Sequence, residues 1–317
     1  MRLIFLGSGE FALPTLRWLA QSPYEVARVI TQPARPSGRG RRVVRTAVAE
    51  LAAELALPVD EVEDVNRPEV IEELKSLEAR VGVVVAFGQK LGRVFRASIP
   101  AGFINLHASL LPRYRGAAPI NWAIVRGEER TGCTVFRIVE KMDAGPILTS
   151  RCTDIEPDET AGELHDRLAD IGVDAVRAAL DHFSGDAIPE GMPQADGDAT
   201  PAPKLQKSDG RVEFHRAARD VANFIRGMAP WPGAAARYES AGGRWERVTL
   251  MRARAAEDPA PPSVPPGTLD ARRYVAARDR FVEVLEIKPS SGRVMSWAEY
   301  VNGRHVAAGD RLVSNED

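Results

Sequence analysis

At 317 residues, with 44% hydrophobic and 27% charged residues, the chain has material for more than one ordinary domain and ample core, so two domains are expected. No apolar stretch approaches the roughly 20 residues that span a bilayer, and MRLIFLGSGEF lacks a signal-peptide core, so a cytoplasmic, non-membrane protein is expected. The net charge of −2 excludes a uniformly basic nucleic-acid coat, but the charge is clustered: residues 33 to 49 hold five arginines (35, 39, 41, 42, 45) and no acid.

In chain order, Arg2 to Gly7 is an apolar run expected as a strand, ending in a Gly-Ser-Gly turn. A helix is expected from Phe11 to Leu19, with Leu13, Leu16 and Leu19 on one face. Gly7-x-Gly9-x-x-Ala12 suggests a dinucleotide turn, but that use also needs an acid at the end of the second strand to hold the ribose. The second strand, Val26 to Thr31, ends in Thr-Gln-Pro instead, so NAD is rejected. The arginine-bearing connection that follows is longer than most. A solvated surface loop is its bland reading; uncompensated guanidinium groups also suit phosphate.

Val44 to Leu57 reads as a helix closed by Pro58. Pro68 to Leu77 reads as another, with Asn66 as its cap. Val81 to Phe87 is nearly all apolar, the mark of a strand covered on both faces. It ends at Phe87-Gly88-Gln89, on the edge where open α/β sheets bind ligands. The next apolar run, Phe103 to Leu106, delivers Asn105 and His107 to its C-terminal end. Being two apart on a strand, they face the same side. A loop, Ser109 to Gly116, follows, with Pro112 and Gly116 shaping its backbone. After a helical piece (Pro119 to Arg126) and a strand (Cys133 to Val139), Asp143 lies in a Met-Asp-Ala-Gly turn. An amide, an imidazole and a carboxylate at strand ends form a kit for acyl transfer: one donor for an oxyanion, one group to move a proton, one to orient it.

The run Asn-Leu-His-Ala-Ser-Leu-Leu-Pro-Arg-Tyr-Arg-Gly-Ala-Ala-Pro-Ile, followed by Thr-Gly and Met-Asp-Ala-Gly, resembles the folate-dependent formyltransferases. Within them it is most similar to the branch that acts on methionyl initiator tRNA. The resemblance implies that Asn105, His107 and Asp143 are the catalytic set. It further implies that Ser109, Leu110, Leu111 and Pro112 contribute to the site for 10-formyltetrahydrofolate, with Phe87 and Gly88 beside the pterin. It also implies that Arg39, Arg41 and Arg42 on the long loop meet the tRNA, Arg42 being the foremost choice. The co-substrate would be 10-formyltetrahydrofolate, with no metal.

Gly145 to Ile155 is expected as a strand, and Glu163 to Phe183 as an amphipathic helix. The two cysteines, Cys133 and Cys152, read as reduced and largely buried. The Gly-, Pro- and Asp-rich stretch from Ser184 to Gly210 marks a boundary. The expected division is a Rossmann-like, doubly wound α/β domain over 1–188, a linker over 189–207, and a small oligonucleotide-binding-type β-barrel over 208–317. Ala-Pro-Lys at 202–204, Pro-Trp-Pro-Gly at 230–233 and Ala-Gly-Asp-Arg-Leu at 308–312 extend the resemblance through this second half. Residues 211 to 254 carry nine arginines against four acids, a second basic island expected to serve the tRNA. A monomer is expected. The rivals are formyltransferases acting on a sugar-nucleotide amine or a ribonucleotide amine, related hydrolase domains, and a non-catalytic tRNA-binding protein. The arginine loop and the Ala-Pro-Lys segment favour tRNA, and the complete Asn-His-Asp set favours an enzyme.

Overall fold

Val81–Val85, five consecutive buried residues, lies at the middle of a seven-stranded sheet, where only apolar side chains fit on both faces. The computed structural model describes every residue except 38–41, 186 and 315–317, and leaves out the side chains of Ser37 and Arg42. The sheet strands are β1 (Arg2–Gly7), β2 (Glu25–Thr31), β3 (Val59–Glu61), β4 (Val81–Val85), β5 (Phe103–His107), β6 (Arg130–Arg137) and β7 (Ile147–Asp154). Their spatial order is β7-β6-β5-β4-β1-β2-β3. From β3 through β5 all neighbours are parallel, and Phe5, Val83 and Ile104 align across three strands. β6 then runs antiparallel to β5. Because the chain builds outward one way from β1 to β3 and the other way from β4 to β5, the direction of winding switches between β1 and β4. Ligands enter such sheets at the strand ends there.

The Gly-rich turn after β1 confirms that it is a structural corner. The N–H groups of Ser8 and Gly9 both donate to the Ala86 carbonyl, so they are not aimed at a pyrophosphate. Where a ribose-binding acid would stand, the Thr31 hydroxyl instead bonds those of Ser8 and Thr46. Thr46 also shortens the expected helix Val44 to Leu57 to α2 (Ala47–Glu54; α1 is Leu13–Gln21): its hydroxyl caps the Ala49 N–H, and Val44 joins a strand, Arg42–Val44. Asn66 does not cap α3 (Pro68–Ser76). Its side chain accepts from the Gly92 N–H and donates to the Lys90 carbonyl, tying down a loop instead.

Two compact units emerge. The first comprises residues 1–116, 132–153 and 165–201; the second comprises 117–131, 154–164 and 202–317. In the second, the helix α4 (Pro119–Val125) keeps company with α6 (Ala218–Met228), the Asn121 amide donating to the Gly227 carbonyl. The long helix α5 (Ala161–Asp181) begins in the second unit and continues in the first. Within the first, Gly172 permits close approach to β5, since a Cβ there would lie 2.6 Å from the Leu106 side chain.

The barrel strands are β8 (Ala234–Glu239), β9 (Trp245–Pro259), β10 (Val275–Ala276), β11 (Arg280–Pro289), β12 (Met295–Ser296) and β13 (Arg311–Ser314), with α7 (Trp297–Arg304) before the last. They form an antiparallel sheet ordered β10-β11-β9-β8-β13, with β12 also on β11. In β8 burial alternates strictly, Ala234, Ala236 and Tyr238 facing inward. Residues 267–269 nearly close the sheet: the Gly267 N–H donates to the Ala276 carbonyl, and its carbonyl accepts from the Leu312 N–H. Only glycine fits, because its φ is +89° and a Cβ would lie 2.2 Å from the Leu312 carbonyl.

One expectation fails for a simple reason. Cys133 is buried in β6, and burial pushes its thiol up to about 12, but Cys152 is exposed because β7 is the edge strand. No described helix is long and apolar enough to cross a membrane.

Candidate active site

β5 carries Asn105 and His107 to the ligand edge of the sheet on one face, while Leu106 faces the opposite side beneath α5. Asn105 is half-buried, between Val84 of β4 and Phe136 of β6, and its amide has no hydrogen-bond partner among the described residues. It is therefore a donor in reserve. His107 is 7% exposed, with the Phe136 ring edge-on to its own at 6.5 Å. Its Nε2 lies 2.8 Å from the Tyr114 carbonyl. A carbonyl only accepts, so Nε2 carries the hydrogen and Nδ1 is the nitrogen left for another partner. Nδ1 faces Asp143 Oδ2 at 3.9 Å. That gap is too long for a direct hydrogen bond and short enough for one amine or water to touch both groups.

Asp143 is held at both of its ends. Its Oδ2 accepts from the Gly116 N–H at 2.8 Å, and its backbone adopts a left-handed φ of +51°. Its carbonyl accepts from Gln194 Nε2 at 2.9 Å, and the same amide donates to the Gly145 carbonyl at 2.7 Å. Gly145 cannot be replaced without opening this turn, because a Cβ would lie 1.7 Å from the Arg137 carbonyl. The Gln194 Oε1 accepts from Arg115 Nε and Nη2. Arg115 and Lys141 also pair with Asp196 and hold its carboxyl below the usual range, the Lys141 hydrogen bond contributing most. Thr200 fastens the other arm: its hydroxyl accepts from the Tyr114 N–H and its carbonyl from the Arg115 N–H, setting the left-handed Tyr114 whose carbonyl holds His107.

The Ser109–Pro112 loop is built around Thr134, the β6 residue opposite His107. The Thr134 hydroxyl donates to the Ser109 carbonyl and accepts from the Leu111 N–H. Ser109 is fully buried and its hydroxyl donates to the Arg113 carbonyl, so it shapes the loop from within. Leu110 and Pro112 remain partly exposed, whereas Leu111 is buried. Phe87 packs in the core with Ile30, Val84 and Leu91, and its carbonyl accepts from Gln32 Nε2. Gly88, at φ +79°, turns the chain above it. Gln194, Thr200 and Thr134 carry no motif that sequence reading could seize, Gln194 and Thr200 lying in a stretch whose composition reads as linker. Tyr114 stands within the motif run, but it contributes through main-chain atoms that residue type does not announce.

The basic regions divide on inspection. Arg39 and Arg41 lie outside the described residues; Arg42 begins a short strand paired with Arg35–Ser37, its side chain not described. Arg45 is committed to Glu61 at 2.7 Å. In the second island Arg226 is buried and donates to Asn223 and the Glu159 carbonyl, while Arg219, Arg237, Arg252 and Arg254 pair with acids. The Arg252 partner, Glu163, is lowered to about 2, chiefly by that hydrogen bond. Exposed Arg244 donates to the Arg304 carbonyl, and exposed Arg211, Arg216 and Arg247 remain. Composition overstated this island, because most of its arginines build the fold. Among the described residues no group of three or more His, Cys, Asp or Glu could hold a metal ion.

Comparison with known proteins gives the family and the fold. The formyl transferase family matches residues 1–180, and the formyl transferase C-terminal domain matches 204–305. A methionyl-tRNA formyltransferase of Solibacter usitatus is 39% identical over 98% of this chain and 98% of its own. Among solved structures, WlaRD, a sugar 3N-formyl transferase, superposes with a TM-score of 0.66 at 14% identity, covering 92% of this chain and 99% of its own. HypX from Aquifex aeolicus, solved with tetrahydrofolic acid, gives 0.62 at 18% identity over 97% of this chain, which spans only 48% of that protein. At such identities the two structures speak for the fold, and the full-length relatives for the branch. The chain belongs to the formyl transferase family, in its methionyl-tRNA formyltransferase branch.

Proposed function

We propose that this protein transfers the formyl group of 10-formyltetrahydrofolate to the α-amino group of methionyl initiator tRNA. The observation that carries the reading is the meeting of Asn105, His107 and Asp143 at the end of β5 in a chain matched end to end by that branch. The amine nitrogen attacks the formyl carbon, and the carbonyl oxygen becomes an oxyanion. The bond from carbon to N10 then breaks, the amine proton passes to N10, and N-formylmethionyl-tRNA and tetrahydrofolate leave. No enzyme nucleophile is needed, because the substrate amine is one. Asn105, with its uncommitted amide, donates to the oxyanion. His107 moves the proton through Nδ1, and Asp143 steadies it and helps take the amine proton. Leu110, Leu111 and Pro112, with Ser109 bracing them, line the folate site beside the Phe87-Gly88 turn.

Residues 1–188 supply the chemistry, 189–207 join the halves, and 208–317 form the tRNA-binding barrel, assisted by Arg39, Arg41 and Arg42. The protein works as a monomer in the cytoplasm. A formyltransferase for small amines would not need the arginine loop, and a dead tRNA-binding relative would not need the intact triad. The test is transfer of radiolabelled formyl from 10-formyltetrahydrofolate to methionyl initiator tRNA, with free methionine and a UDP-amino sugar as controls. Label on the tRNA alone is expected. Label on the sugar nucleotide and none on the tRNA would replace the reading with its rival.

A further inference from the structure

We infer that Gln194 is the positioning residue for Asp143, and that the segment around it clasps the active site rather than merely linking two halves. The side-chain amide has two N–H donors and two acceptor lone pairs, and all four are used. Both donors go to carbonyls of the Asp143 turn, those of Asp143 and Gly145; both lone pairs receive the guanidinium of Arg115. Carbonyls cannot donate and a guanidinium cannot accept, so the amide has one allowed orientation.

The residue next to Arg115 is Gly116, whose N–H holds Asp143 Oδ2. Gln194 therefore closes a ring. It grips the main chain of Asp143 on one side and, on the other, Arg115, whose neighbour Gly116 holds the carboxylate. Around it the clasp is continuous: Met192 exchanges two backbone hydrogen bonds with Ile147, and Thr200 holds Tyr114 and Arg115. A simple brace for a surface loop would need one such bond. Four bonds that join the main chain of the left-handed Asp143 turn to Arg115, the neighbour of the residue holding its carboxylate, suit the control of where that carboxylate stands relative to His107.

The kinetic part of this inference rests on the proposed function; the geometric part does not. Gln194→Met keeps the length and removes all four bonds. Gln194→Glu keeps the grip on Arg115 but cannot donate to the two carbonyls. Both variants are expected to lower kcat for formyl transfer by on the order of 10–100-fold, the penalty of a misplaced group, with KM for either substrate within about twofold. In an Asp143→Asn background, Gln194→Met should add less than about threefold, since Gln194 acts through Asp143. In the substrate-free protein, the Gly116 amide proton should move upfield in Gln194→Met as its bond to the carboxylate weakens. Wild-type kcat in Gln194→Glu, or effects that multiply in the double variant, would overturn the inference. So would an unchanged Gly116 resonance. If the wild-type protein formylates no methionyl-tRNA, the proposed function fails, and the Gly116 resonance still decides whether Gln194 holds the carboxylate.

Discussion

Two aspartates at tight turns, one in each unit, show how the same residue serves opposite ends. Asp310 is 2% exposed, and its carboxylate is fully engaged: Oδ1 accepts from the Ala241 N–H, and Oδ2 from the Tyr238 hydroxyl and the Ala307 N–H. Burial disfavours its charge, yet those three donors outweigh burial and hold its carboxyl below the ordinary range. Asp143 takes one hydrogen bond on Oδ2, has no partner for Oδ1 among the described residues, and is instead pinned by its main chain. A buried carboxylate with both oxygens held by donors of its own fold has little left for a substrate. One fixed by its backbone, with Oδ1 uncommitted and Oδ2 3.9 Å from an imidazole nitrogen, has room left for a proton.

The largest effects should come from breaking the second arrangement. Asn105→Ala is expected to fold normally and to lose on the order of 10²–10³ in kcat, the cost of one oxyanion donor elsewhere. His107→Ala should lose at least as much. Asp143→Asn, which keeps the shape and removes the charge, tests the third member. Single-turnover formyl transfer with folded protein measures all three, and near-wild-type turnover in His107→Ala would sink the assignment.

Asp310→Asn should do the reverse, sparing kcat where the chain stays folded and costing stability. Three hydrogen bonds to a buried carboxylate converge there, and hydrogen bonds to charged groups are worth about 1.5–3 kcal/mol, so a loss of about that size is expected in urea denaturation. The sign of the pH dependence follows from the lowered folded-state pKa. The stabilisation is fully present above the unfolded value of about 3.9 and drains away as pH falls through the lower folded value, so the gap between wild type and variant narrows in acid. A gap that stayed constant from neutral pH to below about pH 3 would show that charge is not what Asp310 contributes.

These two sites also mark what the sequence could and could not disclose. The placing of Asn105 and His107 together was legible because the strand period puts both on one face. The apolar run through Val85 was legible because a strand covered on both sides tolerates nothing else. Val44 was misplaced because one hydroxyl, that of Thr46, competes successfully with helical periodicity. The role of Asp310 was hidden, since its partners stand 72, 69 and 3 residues away and no spacing announces them. Gln194 was hidden more deeply: a segment poor in apolar residues looks like linker, and only its hydrogen bonds show that it is tied to the Asp143 turn. The second basic island misled in the opposite direction, because composition counts an arginine without asking whether an acid already holds it.

The same distinction between committed and uncommitted groups sharpens the smallest effect, on tRNA binding. Arg45 and Arg42 are three residues apart in the arginine-rich connection, but Arg45 is already paired with Glu61 at 2.7 Å. Removing Arg45 therefore removes a charge whose field is largely cancelled nearby. Arg42 begins the strand that leaves the 38–41 segment, opposite Ser37, where no acid occurs from residue 33 to 49. If it meets a phosphate, Arg42→Ala should raise KM for methionyl-tRNA and reduce the salt slope of binding by about 0.7–0.9, the share of one phosphate contact. Affinity for 10-formyltetrahydrofolate should not change. Arg45→Ala should flatten the slope by less, and the difference between the two variants is the measurement that matters. Titrations across a range of salt supply it. Equal slopes in Arg42→Ala, Arg45→Ala and wild type would leave the connection as a solvated loop and move the search for tRNA contacts to the exposed Arg211, Arg216 and Arg247.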